Sequence, residues 1–287
     1  MNPEAIFWPA PAKLNLMLRV VGRRADGYHR LQTVFQFLDL ADELRFSLLP
    51  RDEILCPMPG IPPDDNLAVR AARALRPYRT IAQGVRIEIR KRLPMGGGLG
   101  GGSSNAATTL VVLNRLWQCG LDTPALARIG LSLGADVPIF VHGRAAWAEG
   151  VGERFTPIEP PQPWYLVVRP PCSVSTAEIF SAPELTRNAP PIKIRDFLAG
   201  RDENTLEPVV RQRHPEVDRA LKWLDGLGRG RLTGTGSCVF AAFADEGQAQ
   251  AALAGLPPDF EGFVARGCNR SPLHEKMDQH LGVSPSG

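Results

Sequence analysis

The densest chemical signal in the chain is the run Gly96, Gly97, Gly98, Leu99, Gly100, Gly101, Gly102, Ser103, Ser104. Glycine lets a backbone approach an anion closely and turn its amide hydrogens inward. The run leaves an alternating segment at 85–91 (VRIEIRK) and enters one where Ala107, Leu110 and Val111 recur at spacings of three and four. It therefore reads as strand, loop and helix, the free amides of the helix start adding partial positive charge. Phosphate is the ligand that suits this arrangement. Ser103 and Ser104 are placed to cap the helix, donate to phosphate or meet a bound magnesium ion. A merely flexible loop is the alternative.

Two familiar phosphate motifs do not account for the run. Residues 96–101 match G-x-G-x-x-G, but a dinucleotide fingerprint needs an acidic residue about 20 positions on, at the end of a second strand. Asp122 falls instead in the turn CGLDTP between two helical patterns. A Walker-type loop needs lysine and then Ser or Thr after its last glycine; here Gly102 is followed by Ser103. A phosphoryl transferase built on this loop needs its cation and its carboxylate from elsewhere. Lys13, in PAPAKLNL, and Asp136, in LGADVPIF, are the candidates. Their plain alternatives are a strand lysine whose stem covers apolar surface and an aspartate in a glycine turn.

The elements that must hold these residues follow from periodicity. Lys13 lies in an alternating segment, 12–21, with Leu14, Leu16, Leu18 and Val20 on one face and Asn15 and Arg19 on the other: a half-buried strand. Further strands are expected over 33–39 and 43–49, and a Pro- and Gly-rich loop over 50–64. A helix capped by Asn66 then presents Leu67, Val69, Ala71 and part of Leu75, and closes at Pro77. Thr123 as cap and Pro124 in the first turn open another helix, which ends before Gly134. Beyond the proline-rich break at 156–163 come a strand at 164–168, a helix near 176–182 and a polar loop over 183–192. A helix from Pro215, a glycine turn into an apolar strand, a helix over 247–256 and a last strand complete the pattern. This order predicts two layered domains of α+β type, 1–160 and 161–287.

Composition narrows the class. The net charge of +3 from 33 basic and 30 acidic residues offers no basic stripe, so neither nucleic acid nor membrane is an expected partner. Two local clusters, Arg23-Arg24 and Arg90-Lys91-Arg92, read as solvated turns and strand ends or as help in steering a phosphorylated substrate. Five scattered cysteines form no close pair and suit reduced thiols. The amino terminus has no charged-then-apolar secretion pattern and no apolar run is long enough for a bilayer, so a cytoplasmic protein is expected.

Four segments taken together resemble the GHMP superfamily of small-molecule kinases over nearly the whole chain. They are AKLNLMLRVVGRRADGYHRLQT from Ala12, LPMGGGLGGGSSNAA from Leu93, LGADVPIFVHGRAAWAEGVGE from Leu133 and RLTGTGS from Arg231. The glycine run alone indicates only the superfamily. With the first and third segments it is similar to the branch acting on a cytidine-diphosphate sugar alcohol, a methylerythritol derivative of the non-mevalonate isoprenoid pathway. The resemblance implies a ribosomal-protein-like amino-terminal α/β domain and a ferredoxin-like carboxy-terminal one, ATP and Mg2+ as cofactors, and a monomer or weak homodimer.

The resemblance also implies roles. Asp136 takes the proton of the acceptor hydroxyl or orients it, Lys13 holds that hydroxyl and offsets charge, and Asn15 binds substrate from the same strand face. Pro94 and the run from Gly96 to Ser104 hold the ATP phosphates, with Ser104 the first choice for magnesium. Asn66 lies near the adenine, its rival role being the helix cap. Tyr28, His29 and Phe180 surround the cytosine, and Thr176 is a polar contact one turn before Phe180. Gly234 and Gly236 lie beside the catalytic centre, in a motif that starts with Thr233 where many relatives have Ser. The rival readings are another kinase of the superfamily (homoserine or mevalonate type), a non-catalytic nucleotide-binding protein and, through the accidental fingerprint, a nicotinamide-dependent oxidoreductase.

Overall fold

The computed structural model describes residues 6–24, 27 and 29–281. Its frame is the antiparallel pair β1 (Phe7–Arg23) and β2 (His29–Leu49). The two strands expected at 33–39 and 43–49 are one, because β1 carries the pairing across the gap, Pro11 opposite Ala41 and Ala10 opposite Asp42. The half-buried reading of β1 is also corrected. Lys13, Asn15 and Arg19 are as buried as the apolar face. The second half of the chain covers them: the Asn15 amide donates to Thr233 Oγ1 at 3.0 Å, and the Val20 amide to Thr205 Oγ1 at 2.9 Å. Register shifts at Pro11/Lys13 and Asn15/Met17 bracket the Lys13–Asn15 stretch. Such bulges re-aim side chains.

Within the segment read as loop, β3 (Ile54–Leu55) forms a short strand. Helix α1 (Leu67–Leu75) is capped by Asn66, whose Oδ1 accepts from the Ala68 amide at 3.0 Å, and it tightens into a 3-10 turn at Pro77. Strand β4 (Gly84–Arg90) pairs parallel with β3 and antiparallel with the far half of β2. Helix α2 (Gly101–Leu116) begins three residues before Ser104, with Gly100 in the left-handed region at its cap, so neither Ser103 nor Ser104 is the cap. In α3 (Thr123–Leu133) the cap is Asp122, not Thr123, since its carboxylate reaches the Ala125 amide at 2.8 Å. The short α4 (Val137–His142) follows Asp136 directly.

Helices α1 to α4 bury Leu75, Leu110, Leu113, Trp117 and Phe140 against Phe37, Phe46 and Ile87 of the sheet. Each large apolar side chain so removed from water contributes roughly 1.5–3 kcal/mol. The hairpin β5 (Ala146–Gly150) and β6 (Arg154–Pro157) adds to the near half of β2. β7 (Trp164–Arg169) opens the second half, followed by the short helices α5 (Thr176–Ser181), α6 (Ile194–Leu198) and α7 (Glu207–Arg213) and by α8 (Pro215–Asp225). After β8 (Arg231–Leu232), β9 (Val239–Phe243) and α9 (Glu246–Ala254), β10 (Glu261–Cys268) pairs with β7 and then, through Gly267 and Cys268, with β2.

The strand order is therefore β3-β4-β2-β10-β7-β9-β8, one sheet shared by both halves. Helix α10 (Pro272–Leu281) returns to the first core with Leu273 and Met277. A second core gathers Ile179, Val210 and Leu221 with Leu18 and Val20 of β1. A third joins Leu14 and Met17 to Tyr165, Cys238 and Phe240, and includes Leu99 of the glycine run. Among the described residues no helix is long and apolar enough to cross a membrane.

Candidate active site

Lys13 and Asp136 meet at the floor of a cleft of about 590 Å3, the Lys13 Nζ lying 3.2 Å from Asp136 Oδ2. An aspartate at a helix start ordinarily spends its carboxylate on the next amides. Asp136 makes no such cap bond, which leaves the carboxylate for Lys13 and the cleft. The Lys13 side chain is 3% exposed, and its Nζ also donates to Asn15 Oδ1 at 2.5 Å. Asn15 Nδ2 in turn donates to Thr33 Oγ1 at 2.8 Å, and Thr33 Oγ1 donates to the Met17 carbonyl at 2.6 Å. Each link fixes the one before it. The result is a fixed cation beside a carboxylate that is 36% exposed.

The glycine run forms one wall. Gly96, Gly98 and Gly100 take φ of +74°, +75° and +76°, alternating with Gly97 and Leu99, which are outside the positive region. This alternation turns successive amides to one side, a concavity for anions, and the amides of α2 open behind it. The loop is held from both sides: the Lys13 amide donates to Leu99 O at 3.0 Å and the Cys238 amide to Gly97 O at 3.2 Å. A Cβ on Gly98 would lie 2.6 Å from Thr233 O and 3.0 Å from Gly236 O. So the glycine run and the 233–238 turn pack backbone to backbone. Gly236 backs the loop, while Gly234 faces the pair, its Cβ position 3.3 Å from Asn15 Oδ1. Asn204 secures this turn by donating to the carbonyls of Gly234 at 2.8 Å and Leu232 at 3.0 Å.

Pro94, Gly101, Gly102, Ser103 and Asn66 line the same cleft. Asn66 caps α1, its Nδ2 reaches Cys56 Sγ at 3.3 Å and Met58 Sδ at 3.5 Å, and it stands on the cleft wall. The run Arg90-Lys91-Arg92 divides. Arg90 and Arg92 pair with Glu43, whereas Lys91 lines the cleft and donates to the fully buried Asp42. Asp42 also takes the amides of Arg92 and Leu93, at 2.8 and 2.9 Å, and so anchors the chain where it enters the glycine run.

Magnesium takes few protein ligands, completing its shell with water and phosphate oxygens. Ser103 lines the cleft; Ser104 does not and is fully buried in the first turn of α2, its Oγ left without a hydrogen-bond partner and so available to such an ion.

A second cavity of about 900 Å3 shares Thr176 and Phe180 with the cleft and is lined further on by His29, Arg23 and Arg24. His29 opens β2 and Phe180 lies in the last turn of α5, and their rings lie 5.1 Å apart at 30°. Thr176 Oγ1 is 3.0 Å from Thr235 Oγ1, tying α5 to the glycine turn. Burial, then Arg187, then Arg23 hold the His29 imidazole below its usual range. Tyr28 lies outside the described residues. Sequence reasoning did not find Arg187, Asp42, Lys91, Thr33 or Asn204. Only Lys91 carried a signal, the basic cluster next to the glycine run.

Residues 66–144 match the model of the GHMP kinases N terminal domain and residues 187–260 that of the GHMP kinases C terminal. A 4-diphosphocytidyl-2-C-methyl-D-erythritol kinase of Nitrosococcus oceani is 56% identical over 276 residues, covering 96% of this chain and 99% of the relative. One of Halorhodospira halophila is 58% identical over 94% of this chain and 96% of the relative. The crystal structure of a 4-(cytidine 5'-diphospho)-2C-methyl-D-erythritol kinase superposes with a TM-score of 0.80 at 34% identity, covering 91% of this chain and 99% of that one. The chain belongs to the 4-diphosphocytidyl-2-C-methyl-D-erythritol kinases of the GHMP kinase family.

Proposed function

We propose that this chain transfers the γ-phosphoryl group of ATP to the 2-hydroxyl of 4-diphosphocytidyl-2-C-methyl-D-erythritol, giving the 2-phosphate and ADP, in isoprenoid precursor biosynthesis. The observation that carries the reading is the position of the Lys13–Asp136 pair. It stands in the cleft lined by the glycine run, which shares Thr176 and Phe180 with the cavity holding His29. That arrangement suits a reaction won by positioning and electrostatics rather than by a covalent intermediate.

In this reading the amides of the glycine run and of the α2 start hold the triphosphate, with Asn66 towards the adenine. The acceptor hydroxyl approaches Asp136, which orients it and takes its proton as the bond to phosphorus forms and the bond to the ADP oxygen breaks. Lys13, fixed through Asn15, offsets the charge gathering on the transferred group. Ser104 is the residue that would hold magnesium on the protein side, and the ion, when bound with the nucleotide, would neutralise phosphate charge. Phe180, His29 and Tyr28 receive the cytosine, which acceptors such as homoserine or mevalonate lack.

A division near residue 160 belongs to the same reading and draws support from the proline-rich segment that precedes β7. So does a cytoplasmic setting, in keeping with five free cysteines. Phosphorus and carbon NMR of the product made from ATP and the cytidylated acceptor tests the proposal. A new phosphomonoester on C2 is expected; phosphate on another hydroxyl, or on water alone, refutes it.

A further inference from the structure

Arg187 lies in the polar loop after α5, 158 positions from His29, yet it donates to the ring of that histidine. Its Nε is 3.2 Å from His29 Nε2. Its Nη2 donates to the carbonyls of Phe180 at 3.1 Å and Ala182 at 2.6 Å, and its Nη1 to that of Leu185 at 3.1 Å. The last carbonyls of a helix have no partner within it. Arg187 supplies partners at the end of α5, where Phe180 sits, and reaches β2 with the same planar group.

An arginine side chain only donates, so the imidazole nitrogen it meets must accept. His29 Nε2 then carries no hydrogen, and the hydrogen of the neutral ring is on Nδ1. Among the described residues, the charged groups acting on this ring are cations, Arg187 and, on β1, Arg23; Arg24 stands on the wall of the same cavity. Together with burial they favour the neutral imidazole.

We propose that Arg187 is the positioning residue of the base pocket, fixing the backbone of Phe180 and setting His29 as a neutral ring with its hydrogen on Nδ1. A fixed Nδ1–H donor matches cytosine, whose edge presents O2 and N3 as adjacent acceptors. Uracil has N–H at position 3 and opposes a donor there. Arg187 thereby sets which pyrimidine the pocket accepts, without touching the base. The choice of base rests on the function proposed above; the tautomer and the clamp do not.

Two measurements test it. Long-range proton–nitrogen NMR of the substrate-free wild-type protein, with the His29 signals assigned through H29Q, should show the Nδ1–H form. An Nε2–H ring at His29 overturns the proposal whatever the variants do, including any that fail to fold. In R187Q, the KM for the cytidylated acceptor should rise about tenfold, the order of one lost hydrogen bond to a charged group, while the KM for ATP and kcat stay within about twofold. Discrimination against the uridine analogue should fall by a similar factor. The acceptor KM of the variant should also partly recover between about pH 7 and 6, as the released imidazole titrates nearer its ordinary value and protonation restores a hydrogen on Nδ1.

R187K keeps the charge but not the planar fork, so it should follow R187Q rather than the wild type. Unchanged acceptor KM and unchanged uridine discrimination in R187Q overturn the proposal. If the wild type shows Nδ1–H but turns over no cytidylated acceptor, the clamp is upheld and the acceptor assignment falls instead.

Discussion

Gly96 and Gly98 form a matched pair for testing why the glycine run contains so much glycine. Both adopt nearly the same left-handed backbone, φ +74° and +75°. Alanine in that region costs about 1–2 kcal/mol at either position. The surroundings differ. A Cβ at Gly96 meets nothing within 4 Å, whereas one at Gly98 lies 2.6 Å from Thr233 O and 3.0 Å from Gly236 O. Those atoms are backbone, in a turn that Asn204 and the Asn15 amide hold in place, so the loop itself must move. Forcing an extra carbon into packed structure costs about 1–3 kcal/mol. Gly96→Ala should therefore cost about 1–2 kcal/mol and Gly98→Ala about 2–5 kcal/mol. If the cost falls on the nucleotide-bound loop, kcat/KM for ATP drops roughly 5- to 30-fold in the first variant and roughly 30- to several-thousand-fold in the second. Steady-state kinetics at saturating acceptor, with thermal unfolding as the control for folding, reads the difference. Equal losses in the two variants, or a larger loss for Gly96→Ala, would refute the argument that backbone contact with the 233–238 turn shapes the cradle.

Asp136→Asn should lower kcat about 10²- to 10⁴-fold with little change in the KM for ATP, because in the proposed reaction the carboxylate serves the acceptor, and in the fold it caps no helix; activity within tenfold of wild type contradicts the assignment. Phe180→Ala should raise the KM of the cytidylated acceptor roughly 5- to 150-fold, the equivalent of about 1–3 kcal/mol of base stacking, and leave ATP unaffected. Stability should respond to acid through three histidines. Burial is the first cause lowering the pKa of His29, His142 and His274, so the folded state favours their neutral forms. Their contribution is complete above the unfolded value of about 6.5 and is lost as pH falls through the lower folded values. The melting temperature should be level above about pH 7 and decline below about pH 6; a rise on acidification over that interval contradicts the sign.

The parts of this site legible in the sequence were those in which residue type and local spacing coincide. The glycine run, Lys13 and Asp136 belong to that class, and the fold holds Lys13 against Asp136 across 123 positions. What periodicity could not reveal was the second layer. Asn15 and Arg19 alternate with leucines as a solvent-facing edge would, yet Thr233, Glu203 and Thr205 from the far half of the chain cover that side of β1. The continuity of β2 through Leu40 and Ala41 was hidden for a similar reason, since it depends on pairing with β1 rather than on local composition. Helices α6 and α7, at five and seven residues, are too short for a 3.6-residue period to register. Arg187 and Asp42 each reach a distant partner, a histidine ring in one case and Lys91 in the other. An arginine in a polar loop and an aspartate within a strand carry no local mark of either task.

The account's central claim, that one cleft joins a phosphoryl-transfer centre to a cytosine-reading pocket, is tested most directly by ADP release from magnesium-ATP. The reaction is run with 4-diphosphocytidyl-2-C-methyl-D-erythritol and, in parallel, with the same sugar alcohol phosphate lacking its cytidine. Stoichiometric ADP from the cytidylated compound alone is the predicted result; equal rates with both acceptors, or no ADP from folded protein with either, would contradict it.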